Sequence, residues 1–252
     1  MEAAYRVFLR LRPAMQRIAA RLDGPAATAA TAATAARAGT AGTADAVDTP
    51  AAPDAAAEAA TGATASAAAP LPAPGAVPAD LVGELRSDHA GETGAVMIYR
   101  GVLAVTKDAA LRDFATRHQA AEQRHLELIE AWLPPVQRSR LLGPWRVAGW
   151  LTGALPALCG PRAVYATIAA VETFVDHHYQ QQIDRLEGRT DHAALRELLI
   201  ACQADERHHR DEASACATQA THAGAPPGPA LRAWCALVGA GSAAAVVVAR
   251  RV

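Results

Sequence analysis

Ala120-Ala-Glu-Gln-Arg-His125 and Ala204-Asp-Glu-Arg-His-His209 each carry a glutamate three residues before a histidine, Glu122 with His125 and Glu206 with His209. At 3.6 residues per turn, positions i and i+3 lie about 60° apart around a helix, so each pair offers a carboxylate and an imidazole to one metal ion from one face. A lone glutamate precedes each pair, Glu92 in Ala90-Gly-Glu-Thr93 and Glu172 in Ala170-Val-Glu-Thr173. The set occurs twice, like an internal duplication. Thirty residues separate Glu92 from Glu122 and 34 separate Glu172 from Glu206, spacings that suit antiparallel helices joined by a short turn. Two such hairpins make an all-α four-helix bundle.

A lone glutamate from each of two helices and an E-x-x-H pair from each of the other two is the pattern of carboxylate-bridged di-iron or di-manganese sites. Charge agrees with it. Four carboxylates balance two divalent cations and neutral imidazoles add nothing, so the site can be buried without a net charge that is costly to desolvate. A single E-x-x-H is usually a solvated surface pair, but two copies with matched upstream glutamates do not fit that reading.

The stretch Ser87-Asp-His-Ala-Gly-Glu-Thr-Gly-Ala95, followed by Ile98-Tyr-Arg-Gly101, resembles the demethoxyubiquinone hydroxylase family, as does the order Glu, E-x-x-H, Glu, E-x-x-H. The resemblance covers about residues 80–220. It implies a ferritin-like fold, two iron ions held by Glu92, Glu122, His125, Glu172, Glu206 and His209, and attachment to the membrane that holds the quinone. The implied reaction is O2-dependent hydroxylation of the ring of a prenylated demethoxyubiquinol, late in ubiquinone synthesis. His178 and Tyr179 correspond to residues near the iron that serve substrate positioning or electron delivery. The resemblance also implies partners in a ubiquinone-biosynthesis complex and an electron donor.

Composition divides the 252 residues into three. Residues 1–24 alternate apolar side chains with Arg6, Arg10, Arg12, Arg17 and Arg21, an amphipathic pattern that suits a membrane-surface helix or an organelle transit peptide but not a secretory signal. Residues 25–79 are nearly all Ala, Thr, Gly, Pro and Asp, with no aromatic and no leucine before Leu71, and are expected to be a disordered linker. Residues 80–252 form the expected bundle domain. Lys107 is the only lysine, a bias of GC-rich bacterial genomes. That favours the bacterial inner membrane, peripheral on its cytoplasmic side, over the matrix side of the mitochondrial inner membrane.

The expected helices run from about Asp80 to Val105, Asp108 to Leu133, Pro161 to Glu187, and from Asp191 past His209. His209 rather than His208 keeps the register of His125. Asp205 and Asp88, each four residues before a candidate ligand, are either surface aspartates or partners of a coordinated group. Tyr99 and Tyr179 each stand seven residues after a lone glutamate, either bordering the site or packed in the core. His89, His118, His177, His192 and His222 show no paired spacing and are expected at the surface or behind the ligands.

Two apolar stretches point to lipid. Residues 141–158 carry Trp145 and Trp150, but Val147 to Leu158 is too short to span a bilayer and suits an interfacial segment. Residues 233–249 contain 17 residues without a charge before Arg250-Arg251, compatible with a span, an interfacial helix or a core helix.

A net charge of −1 and the lack of a basic, aromatic-interleaved patch argue against nucleic acid. Cys159, Cys202, Cys216 and Cys235 form no C-x-x-C, so neither a disulfide framework nor a four-cysteine iron site is expected. That absence, with the lipid-facing segments, weighs against a rubrerythrin-like peroxidase, and the lack of a basic face against a tRNA hydroxylase. No dinucleotide-binding motif is present, so the reductant is a partner, NADH delivered directly, or the quinol.

Overall fold

The computed structural model describes residues 71, 73–220 and 227–252. The amphipathic segment 1–24, nearly all of the 25–79 linker and His222 lie outside the described residues. Within them six α-helices and two short 3-10 turns are found, and no strand.

Helix α1 (Val82–Val105) and α2 (Ala109–Trp132) form the first hairpin. Asp108 closes the turn between them, its side chain accepting from the Leu111 amide at 2.8 Å in the manner of an N-cap. Pro134-Pro135 ends α2, because the proline ring cannot continue the helix. The second hairpin is α4 (Pro161–Arg185) and α5 (Ala193–Gln219). Gly160 enters α4 at φ +101°, a backbone region that favours glycine, with Pro161 in the first turn. The expected starts at Asp80 and Asp191 are early by two residues, since Leu81 caps α1 and a 3-10 turn, Thr190–His192, precedes α5.

Residues 141–158 fold as helix α3 (Leu142–Ala157), laid along α1. The contact is almost backbone to backbone. A Cβ on Gly149 would run into the carbonyl of Gly94, one on Gly153 into that of Ile98, and one on Gly101 into that of Trp150. Glycine at these three positions is what lets α3 approach so closely. Helix α6 (Pro229–Ala249) lies against α4 and α1. Only Ala249 in it is buried, which sets aside the expectation of a core helix. It is the one helix among the described residues long and apolar enough to cross a membrane.

The bundle interior has apolar ends and a polar middle. At one end Leu85, Ile129, Leu133, Ile183 and Leu198 pack together, and at the other Val102, Leu111, Phe114, Tyr165 and Ile168. Burial at both ends fixes the helices on either side of a layer of glutamates and histidines, which would not assemble without that support.

Candidate metal centre

The middle layer draws its side chains from four helices: Glu92 from α1, Glu122 and His125 from α2, Glu172 from α4, and Glu206 and His209 from α5. All six are at most 4 % exposed. Two overlapping groups, Glu92, Glu122, His125 and Glu206, and Glu122, Glu172, Glu206 and His209, each bring their ligand atoms within 4.8 Å of one another. Glu122 and Glu206 belong to both. His125 Nδ1 is 2.9 Å from Glu206 Oε1 and 3.7 Å from Glu122 Oε2, while His209 Nδ1 is 3.1 Å from Glu122 Oε1 and 3.4 Å from Glu206 Oε2. Glu122 and Glu206 thus lie between two halves, Glu92 with His125 and Glu172 with His209.

Electrostatics show what this layer lacks. Burial, and then the charges of Glu206 and Glu122, push the carboxyls of Glu92 and Glu172 well above the ordinary range. Burial opposes charge on His209, but the carboxylates of Glu122 and Glu206 overcome it and push its pKa up to about 9. Burial opposes charge on His125 as well, but Asp205 first, and then Glu122 and Glu206, overcome it and raise its pKa. Buried atoms facing inward, including Glu92 Oε2, both oxygens of Glu206, His125 Nδ1 and His209 Nδ1, have no hydrogen-bond partner. Four crowded carboxylates and two imidazole nitrogens aimed at one space suit two divalent cations.

Around this layer stand the groups that orient it. Tyr179 donates to Glu92 Oε1 at 2.6 Å. Tyr99 is buried against Glu172, and burial and then that carboxylate disfavour ionisation of its hydroxyl. His178 Nε2 lies 2.9 Å from Asp88 Oδ1 and 3.0 Å from Ser87 Oγ, and Gln182 donates to the same Asp88 oxygen at 2.9 Å. Asp205 Oδ2 is 3.0 Å from His125 Nε2, so this aspartate serves the histidine of the other hairpin rather than His209 of its own helix. His208 points outward, its side chain 75 % exposed.

Two features went unassigned in the sequence. His118 is buried, 3.0 Å from Glu212 Oε2, with its ring edge-on to His209 at 4.3 Å between centroids. The signal was spacing: His118 stands four residues before Glu122 and Glu212 three after His209, each one turn from a candidate ligand on its own helix face. His89 is also buried and pairs with Glu130 at 3.0 Å, bracing α1 against α2.

Beside the carboxylates opens a cavity of about 420 Å³ bounded by α1, α3, α4 and α6. Glu92, Glu122, Glu172 and Glu206 lie at its inner end with His178 and Tyr179, and Ala148, Thr152, Leu237 and Ala245 line the part toward α3 and α6.

The family model for the ubiquinone biosynthesis protein COQ7 matches residues 79–249. The chain belongs to the COQ7 family. Within it, the 3-demethoxyubiquinol 3-hydroxylase of Rhodospirillum rubrum is 36 % identical over 171 residues, 67 % of this chain and 76 % of that protein. The mitochondrial NADPH-dependent 3-demethoxyubiquinone 3-hydroxylases of Dictyostelium discoideum and Homo sapiens are 37 % and 32 % identical over 131 residues, half of this chain and 59 % and 60 % of theirs. The chain thus spans about three-fifths of these mitochondrial relatives. The matched region of this COQ7-family chain contains all six helices.

Proposed function

We propose that this protein is a di-iron monooxygenase that hydroxylates the ring of a demethoxyubiquinol with O2. The observation that carries the reading is the apolar cavity that ends on four glutamates. The ligands would be Glu92, Glu122, His125, Glu172, Glu206 and His209, and two ferrous ions held there would supply electrons to reduce dioxygen. The family and the names of its relatives support iron and this substrate.

The chain's own residues prepare the reaction. Apolar walls exclude water and accept the prenyl tail, leaving the ring at the carboxylate end. His178, held by Asp88 and Ser87, offers an oriented ring to a quinol oxygen. Tyr179 fixes Glu92, so that the carboxylate presents its free oxygen inward. The relatives' names point to a nicotinamide as the source of the remaining electrons, used here without a dinucleotide-binding strand and turn among the described residues.

The protein would sit peripherally on the membrane that carries the quinol. Support comes from α3 and α6, which flank the cavity and turn Val147, Leu151, Leu237, Val247 and Val248 to solvent. A bacterial inner membrane, cytoplasmic side, suits the composition.

Anaerobic protein loaded with Fe(II) and mixed with a demethoxyquinol and O2 should add one oxygen atom to the quinol by mass spectrometry, and Glu206→Ala should abolish it in a folded protein. Product formation by that variant would refute the assignment. Rapid peroxide consumption without quinol product would indicate a peroxidase instead.

A further inference from the structure

The two halves of the centre have the same ligand types, yet their surroundings differ. On the His125 side both outer ligands are anchored from behind: Asp205 Oδ2 stands 3.0 Å from His125 Nε2, and Tyr179 donates to Glu92 at 2.6 Å. On the His209 side the Asp205 anchor has no counterpart among the described residues. The ring of His118 stands edge-on to His209 at 4.3 Å between centroids, and the carboxylates paired with His209 among the described residues all meet it through Nδ1. Tyr99, at the position in the first hairpin that Tyr179 occupies in the second, lies against Glu172 without the close hydrogen bond that Tyr179 makes to Glu92.

A carboxylate that accepts the outer N–H of a metal-bound histidine fixes its tautomer and ring orientation and strengthens the donor nitrogen. Losing such a partner typically costs about 10–100-fold in metal affinity. Ring packing from His118 limits how His209 can turn, but His118 Nδ1 makes no hydrogen bond and so does not take the part of Asp205. We infer that the two metal positions are unequal, with the position at His125 and Glu92 the tight one and that at His209 and Glu172 the exchangeable one, and that Asp205 is the positioning residue responsible. This rests on the two-metal reading proposed above.

Cobalt(II) reports on both positions without turnover. Metal-free protein would be titrated anaerobically with Co(II), following visible absorption and the paramagnetically shifted imidazole N–H resonances. The first equivalent should bring a slowly exchanging N–H, that of His125 held by Asp205, and the second should bind at least about tenfold more weakly without adding a protected N–H. Asp205→Asn should weaken the first step by about 10–100-fold and remove the protection, leave the second step unchanged, and be partly rescued by Asp205→Glu. Equal affinities with both N–H signals rising together, or an Asp205→Asn variant that weakens both steps alike, would overturn the inequality while leaving a two-metal centre. Failure to reach two cobalt ions per chain would remove the two-metal reading and this inference with it.

Discussion

The hydroxyl of Tyr179 on α4 donates to Glu92 Oε1 on α1, so a side chain of the second hairpin orients a glutamate of the first. A hydrogen bond to a buried carboxylate is worth about 1.5–3 kcal/mol. Tyr179→Phe keeps the ring and removes the donor. Iron content at limiting Fe(II), and with it hydroxylation, should fall by about tenfold or more, equivalent to about 1.4 kcal/mol. Metal analysis beside a rate assay checks this, and wild-type values in both would show the bond to be incidental.

Glycine at the α1–α3 crossing is a steric requirement. Gly153→Ala places a methyl against the Ile98 carbonyl and should destabilise the fold by about 1–3 kcal/mol. Gly143→Ala, in the same helix but with open space around it, should be neutral or stabilising by about 0.5–1 kcal/mol. Denaturant melts of the two variants should move in opposite directions, and equal shifts would show that the crossing can relax.

Legibility in the sequence followed the range of the interaction. The six candidate ligands and the hairpins that carry them repeat at helical spacing, and the structure brings all six together. Cross-helix pairs carry no such mark: Asp205 is one turn from His209 by number, but the bundle points it at His125. Asp88 likewise meets His178, 90 residues away. The lie of α3 was hidden for another reason. Its tryptophans and leucines read as lipid-facing, and the contact with α1 is made by glycines, which leave no apolar stripe.

Asp176 ties α4 to α5 through Arg207 at 2.8 Å and Arg210 at 2.6 Å, and also accepts from Gln203. Burial alone would raise its pKa, but the two guanidiniums hold it below the ordinary 3.8. Its contribution is therefore complete above that value and is lost as pH falls through the lower folded value. Asp176→Asn should cost about 1 kcal/mol at neutral pH, because the arginines are partly exposed, and flatten the stability curve below about pH 4. Unfolding measured from pH 2 to 7 tests it, and a variant curve parallel to the wild type would count against the ion pairs.

Filling the cavity should separate quinol binding from metal binding. Ala245→Phe adds a ring from α6 to the lining, and should raise KM for a long-tailed quinol by about tenfold, or about 1.4 kcal/mol, with two irons still bound. Unchanged KM would move the quinol elsewhere.

Charge on the outer face of α6 should release the protein from lipid. Val247 is 48 % exposed and Val248 42 %, and each apolar side chain taken up by a bilayer contributes about 1.5–3 kcal/mol. Val247→Glu with Val248→Glu should therefore reduce vesicle flotation by at least about tenfold, with no loss of fold by circular dichroism. Undiminished flotation would place the lipid contact on another surface.

Glu84 accepts from Arg185 and from Arg250, and Arg86 reaches the Arg250 carbonyl. The far end of α6 is thus clamped by charge, whereas its beginning is held by Trp234 on Thr167 and by contact with α4. Glu84 is itself buried, so salt screens this clamp only in part. The outer wall of the cavity is therefore pinned at one end to α1, which supplies Glu92, and at the other to α4, which supplies Glu172.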